Sequence, residues 1–460
     1  DLLAVTQLWR ESAGNGDLIA VAKGAPEAVF VLCQLPEAAT ARLHFEATEM
    51  AAEGLRVLGL ARAHLPAGSH LSEELPSDPR DIGFSFVGLA GLGDPLRDSV
   101  PAAVADCHAA GIRVVMITGD YPATAASIAR LAGLAEGGVV TGDEIAAMDD
   151  AALTGALKSA TVIARVMPEQ KLRIIEALKA AGETVAMTGD GVNDAPSLRA
   201  AHVGIAMGGR GTDVAREASG IVLLDDDFGS IAQAIRQGRR IYDNLQKAMA
   251  FILAVHVPIA GTALLPLFLD LPFVLGPLHI ALMEMIIDPV CALVFEAEGE
   301  ERDVMRRPPR DPAAPLYPTR LAIQSALTGL AAFGAVAGVY LWSVEQGIAP
   351  DDLRALTFLT LILTIVCLIF VNRSFSTSPF RALFRPNPLI VVVPFAVAVA
   401  LALAMLTPFG RTAFSFGQID PDHAAAAAAV AIGTFAAMEV IKAIFAPRHG
   451  KTGLHGAGES

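Results

Sequence analysis

Short apolar runs broken by charge fill the first half of the chain. Ile112–Ile117 is a β-branched run ending in Thr118-Gly119-Asp120, and Val185–Met187 is another, ending in Thr188-Gly189-Asp190-Gly191-Val192-Asn193-Asp194. Helical patterns alternate with them, as over Glu169–Ala181, so residues 101–240 predict a parallel sheet covered on both faces. From Ala248 onward the runs lengthen. Ala248–Leu269, Leu321–Val344, Ala355–Val371 and Pro388–Pro408 contain no Asp, Glu, Lys or Arg, and each approaches the length that crosses a hydrocarbon core. A fifth run lies within His423–Met438, and Leu271–Phe295 is interrupted only by Glu284 and Asp288, which predicts six spans. Helices buried in one large soluble core are the competing expectation, and the number and order of the runs argue against it.

Charge supports the same division. Arg236, Arg239 and Arg240 precede the first span; Arg302, Arg306, Arg307, Arg310 and Arg320 lie between the second and third. Arg373, Arg381 and Arg385 lie between the fourth and fifth, and Lys442, Arg448 and Lys451 follow the sixth. With six spans these basic segments share one side, which predicts a cytoplasmic soluble half and C-terminus. A net charge of −14 over 460 residues, without a basic groove, argues against a nucleic-acid partner. The four cysteines, Cys33, Cys107, Cys291 and Cys367, are too dispersed for a metal or disulfide framework and read as small hydrophobes. The chain starts at Asp1, without an initiator methionine or leader, which reads as a cut.

Strand ends of open α/β sheets gather loops and helix N-termini, where anions bind. Hydroxyl and amide groups at Thr118 suit a phosphoryl group, and Asp190 and Asp194, with Asn193 between them, suit Mg²⁺, which prefers oxygen ligands. Lys171 can offset phosphate charge. The plainer reading makes each TGD an ordinary strand–helix turn with its Asp as a cap. In the membrane half, Glu284 and Asp288 share a helix face, and carboxyls inside a span are costly unless paired, hydrated or used by an ion. Pro289 and Pro258 free the carbonyls of Met285 and Ala254, so an oxygen-rich cation site is expected, with His256 nearby as a packing residue or proton carrier. The alternative sets the acids against other polar groups or at a helix end, which suits Glu296 better; His279 is uninformative without its helix face.

Together MITGD at 116–120, PEQK at 168–171 and TGDGVNDAPSLRAAHVGIAM at 188–207 resemble the phosphorylation domain of cation-transporting P-type ATPases, a haloacid-dehalogenase-like α/β fold. KGAPE at Lys23–Glu27 and GLR at Gly54–Arg56 resemble nucleotide-domain motifs, and DPLR at Asp94–Arg97 resembles the returning hinge. IYDNLQK at Ile241–Lys247, RRPPR at Arg306–Arg310 and the six spans extend the likeness over nearly the whole chain, closest to the calcium-pump-like (type II) branch.

The resemblance implies four regions: a partial α+β nucleotide-binding domain over 1–93, the C-terminal part of the phosphorylation domain over 94–235, a stalk and an all-α six-helix transmembrane region over 236–450, and a tail over 451–460. It implies that Thr118 contacts an aspartyl phosphate, that Lys171 neutralises it, and that Asp190 binds Mg²⁺ with Asn193 and Asp194 completing the network. Lys23 and Arg56 would contact ATP, Asp94 and Arg97 would help couple nucleotide to the phosphorylation domain, and Thr118, Gly119 and Asp120 would belong to the same cofactor-binding set; Arg165 resembles the arginine that precedes PEQK in that fold. The family's nucleophilic Asp sits in a DKTG motif that this sequence lacks, so the resemblance implies an upstream phosphorylated-Asp segment, an actuator domain and four earlier membrane helices as partners. The chain alone is expected to be inactive.

For the transported cation, Asp288 corresponds to the key aspartate of the sixth helix, Glu284 replaces an asparagine, and His256 replaces a polar residue of the fifth helix. Ile259 stands where two-site calcium pumps carry glutamate, and Thr360–Phe370 holds no acid, which favours one cation site. Ca²⁺ is the first expectation, with a proton or another mono- or divalent cation as alternatives, in a multi-pass protein of a bacterial cell membrane. A membrane-tethered phosphatase and a non-catalytic pump-derived membrane protein are the competing functions.

Overall fold

Side-chain alternation builds the first layer of the structure, a computed structural model that describes residues 3–10, 18–65, 78–93, 95–374 and 387–445. In β2 (Leu18–Gly24), Leu18, Ala20 and Ala22 are buried and the residues between them are not; in β3 (Arg56–Leu65), Val57, Ala61 and Ala63 follow the same period of two. With β1 (Ala4–Arg10) and β4 (Ser85–Leu92) they form an antiparallel sheet ordered β1-β2-β3-β4. Its inner face packs on α1 (Pro26–Leu32), through Val29 and Leu32, and on α2 (Glu37–Ala52), through Ala47 and Ala51.

Two three-stranded parallel sheets follow. The first is ordered β5-β7-β6, from β5 (Met116–Ile117), β6 (Gly138–Thr141) and β7 (Ala160–Ala164). The second is ordered β10-β9-β8, from β8 (Ala186–Gly189), β9 (Val203–Met207) and β10 (Ile221–Leu223). The expected strand over 112–117 is thus reduced to its last two residues, because β5 pairs only with β7 and residues 112–115 have no ladder partner. Helices α3 (Ser99–Ala109), α4 (Pro122–Leu131), α5 (Gly142–Ala147) and α6 (Asp150–Ser159) flank the first sheet in sequence. Next, α7 (Pro168–Ala180) joins the two cores: Ile174 and Ala177 pack with the first sheet, Ile175 with the second, and Leu178 touches both. Helices α8 (Ala195–Ala200) and α9 (Asp213–Ala218) complete the second layer.

Clustering of the chain gives two compact units, Asp1–Ala234 and Ile235–Ser460. Among the described residues, six helices are long and apolar enough to cross a membrane. They are α10 (Phe228–Leu269), α11 (Pro277–Pro289) with the π-helical turn Val290–Phe295, α12 (Thr319–Glu345), α13 (Pro350–Asn372), α14 (Leu389–Leu406) and α16 (Pro421–Ile444); short α15 (Pro408–Phe414) intervenes. Two of the bounds that differ from the apolar runs have a plain cause. α10 begins well before Ala248 because the polar residues ahead of it keep helical geometry. The second span begins at Pro277, where a proline at the first helical turn costs no hydrogen bond, and not at Leu271. α13 lies at the centre, packed by α12, α14 and α16.

One end of this bundle holds buried charge. Arg373 and Glu298 are both 0% exposed and pair at 3.1 Å, and the Asn387 amide donates to the same carboxylate at 3.0 Å. Lys247 of α10 pairs with Glu301 at 2.8 Å. The two family-like motifs of this unit meet here: Arg307 donates to Asp243 at 2.7 Å, and Arg310 lies 4.8 Å from the Tyr242 ring centroid.

Candidate functional site

Between the antiparallel sheet and the first parallel sheet lies a cleft of about 400 Å³, lined by Gly24–Glu27, Arg56–Leu58, Gly119–Tyr121, Thr124 and Arg165 among others. Its walls are pinned by α4, whose Thr124 hydroxyl donates to the Leu55 carbonyl at 3.0 Å and whose Ser127 hydroxyl donates to that of Ala52 at 3.1 Å. β5 ends at Ile117, so Thr118, Gly119 and Asp120 turn into the loop that opens α4. The Asp120 amide donates to Thr118 Oγ1 at 3.1 Å, and Thr118 Oγ1 donates to Asp120 Oδ2 at 3.2 Å. Arg56 reaches the same carboxylate at 3.4 Å. Arg165, just past β7, has a left-handed backbone (φ 56°), and its amide donates to the Asp120 carbonyl at 3.3 Å. Its guanidinium pairs with Glu27 and lies 5.3 Å from the Tyr121 ring centroid.

The second cluster lies at the C-terminal end of β8. Lys171, in the first turn of α7, donates to Asp194 at 2.7 Å, and the Gly191 amide donates to the other oxygen of that carboxylate at 3.1 Å. A Cβ on Gly189 would sit 2.6 Å from that of Asp194, so the glycine makes room for the folded-back side chain. The Asp190 carboxyl and the Asn193 amide are exposed, while the Asp190 carbonyl accepts from the Thr212 amide at 2.9 Å. The exposed Asp190 carboxylate fits Mg²⁺, which keeps several waters and takes one or two carboxylates together with phosphate oxygens.

Of the other predicted nucleotide contacts, Lys23 is exposed on β2 and does not line the cleft. Asp94 falls outside the described residues. Arg97 donates to the Asp226 carbonyl, and Ser99 to the Asp227 carboxylate at 2.7 Å, so the hinge segment grips the turn that opens α10. Within that turn the sequence assigns no separate role to Asp226 or Asp227. The Gly209 amide, helped by that of Arg210, holds the Asp226 carboxyl below its ordinary range; the Ser99 hydroxyl and the Gly229 amide do the same for Asp227. Glu27 and Tyr121 were likewise not given roles, although Glu27 lies inside the KGAPE motif.

In the membrane-spanning unit, Leu282, Met283, Ile286 and Ile287 of α11 enter the core, while Glu284 and Asp288 stand on the opposite, exposed face. His256 is exposed on α10, its Nδ1 lying 2.7 Å from the Ile252 carbonyl oxygen. The Ala254 carbonyl freed by Pro258 faces α12, where a Cβ on Gly329 would meet it at 2.5 Å. Among the described residues, no three His, Cys, Asp or Glu side chains gather closely enough to hold a metal ion. Among the described residues Cys33, Cys107 and Cys367 form no disulfide; the side chain of Cys291 lies outside the described set.

Residues 5–202 match the haloacid dehalogenase-like hydrolase family, and residues 272–444 match the C-terminal family of cation transporting ATPases. The chain is 34% identical over 418 residues to the probable cation-transporting ATPase F of Mycobacterium tuberculosis, covering 88% of this chain and 46% of that protein. It is 36% identical over 385 residues to a cation-transporting ATPase of Synechocystis, covering 81% and 42%. With a calcium-transporting ATPase of Listeria monocytogenes it shares 33% identity over 443 residues, covering 94% and 49%. The chain therefore spans about half the length of these curated relatives.

Proposed function

Because the chain belongs to the cation-transporting P-type ATPases, of which it spans about half, we propose that it forms the distal part of an ATP-driven cation pump. One observation carries this reading: β5 and β8 are each the end strand of a parallel sheet, and the phosphate-handling residues sit at their C-terminal ends. A strand paired to both would join the two sheets, and a nucleophilic Asp at its C-terminal end would face Thr118, Lys171 and Asp190. These 460 residues contain no DKTG motif, and in this reading the complete pump supplies that strand.

In this arrangement ATP occupies the cleft, with Arg56 against its phosphates. Thr118 donates to the phosphoryl oxygens, and Lys171, oriented by Asp194, offsets their charge. Asp190 would hold Mg²⁺, which when bound would offset the negative charge of the phosphates. The face of α11 bearing Glu284 and Asp288 would be costly against lipid, so it is covered by the further membrane helices of the complete pump and forms one cation site there. Ca²⁺ is the first candidate, because carboxylate oxygens are its preferred ligands. The protein is placed in a bacterial cell membrane, with the soluble half and the C-terminus in the cytoplasm.

Incubated with γ-labelled ATP, the chain alone should form no acid-stable acyl phosphate, whereas a full-length parent bearing DKTG should; label on the isolated chain would end this reading. In that parent, equilibrium titration should show one high-affinity Ca²⁺ site that Asp288→Asn weakens about a hundredfold or more, as loss of a charged ligand in a desolvated site does. Two sites indifferent to the substitution would refute the assignment.

A further inference from the structure

Two ion pairs cross the cleft in opposite senses. Arg56 on the antiparallel sheet reaches Asp120 beyond β5, while Arg165 beyond β7 reaches Glu27 at the start of α1. Two guanidiniums thus face two carboxylates, and the cleft neutralises itself before any ligand enters.

The two partners of the second pair are held differently. Arg165 does not depend on Glu27 for its position: its backbone is strapped to Asp120, its guanidinium lies over Tyr121, and its side chain is 19% exposed. The Glu27 carboxylate is poorly satisfied. One oxygen meets Arg165, and the other, Oε2, is buried with no hydrogen-bond donor among the described residues. A buried carboxylate oxygen without a donor leaves desolvation uncompensated, so the closed pair is easily surrendered to a better anion.

We propose that Glu27 is a latch on Arg165: it occupies the guanidinium in the empty cleft and gives it up to the phosphates of an entering nucleoside triphosphate. This rests on reading the cleft as the nucleotide site. Glu27 thereby lowers nucleotide affinity, and the anion it competes with is the phosphate chain, not the nucleoside.

Calorimetric titration of the 460-residue chain in detergent, without divalent cation, distinguishes the possibilities. Glu27→Gln, nearly isosteric, should bind ATP about five-fold more tightly, the scale of a partly exposed ion pair. Its affinity for uncharged adenosine should match that of the native chain. Arg165→Gln should bind ATP more weakly, and adding Glu27→Gln to it should change nothing further. Unchanged or weaker ATP binding by Glu27→Gln, or an equal gain for adenosine, overturns the latch while leaving the nucleotide site intact. Failure of Arg56→Gln and Arg165→Gln alike to affect ATP binding overturns the site reading and the latch with it.

Discussion

Asp226 is a buried carboxylate held by backbone amides, and this shapes how the soluble unit answers to acid. The Gly209 amide depresses the Asp226 carboxyl below its unfolded value, so its contribution is complete at neutral pH and is lost as pH falls through the folded value. Asp226→Asn should therefore be less stable than the native chain at neutral pH, and the difference should shrink as the pH is taken from neutral to below the ordinary carboxylate range. Thermal midpoints measured across that range check this; an unchanged gap would mean that the carboxylate charge is not what the amides hold. At this scale the placement of Thr118, Asp190 and Asp194 beyond strand ends and of Lys171 in the first turn of α7 was legible, because their motifs close apolar runs or open a helical pattern. Glu27–Arg165 and Ser99–Asp227 were not legible, because each joins segments far apart in the chain and nothing local marks the partner.

Helices of the membrane-spanning unit are tied at one end by charge as well as by packing. Arg373 closes α13 and holds Glu298, which follows the π-helical turn after α11, while Asn387 just before α14 shares the same carboxylate. Removing one partner of a fully buried pair strands the other, so Arg373→Ala should destabilise this unit by about 3–5 kcal/mol. Replacing both Arg373 and Glu298 by Met should cost clearly less. Denaturant unfolding in detergent decides between them, and an Arg373→Ala variant as stable as native would show that the pair is not load-carrying. The six spans were readable because length and lack of charge suffice to define them. Their true bounds were not: a polar run continues α10 toward the soluble half, Pro277 fixes the start of α11, and the turn beyond Pro289 depends on backbone geometry that hydropathy does not encode.

For the whole molecule, six spans place successive loops on alternate sides of the membrane. A cysteine at Gly347, between α12 and α13, should react with an impermeant thiol reagent added to intact cells, and one at Asp303, between α11 and α12, only after lysis, in a background free of native cysteines. The reverse pattern would invert the proposed orientation. Fold class was legible at this scale because alternating strands and helices give way to lipid-length runs; the division of the parallel strands into two sheets was not, since it depends on which neighbour each strand lacks. Among the described residues no strand pairs with the outer margins of β5 and β8, and such margins have a cost: open main-chain amides and carbonyls on parallel strands recruit any extended peptide that fits. At high protein concentration such margins favour self-association through strand exchange, which dilution reverses.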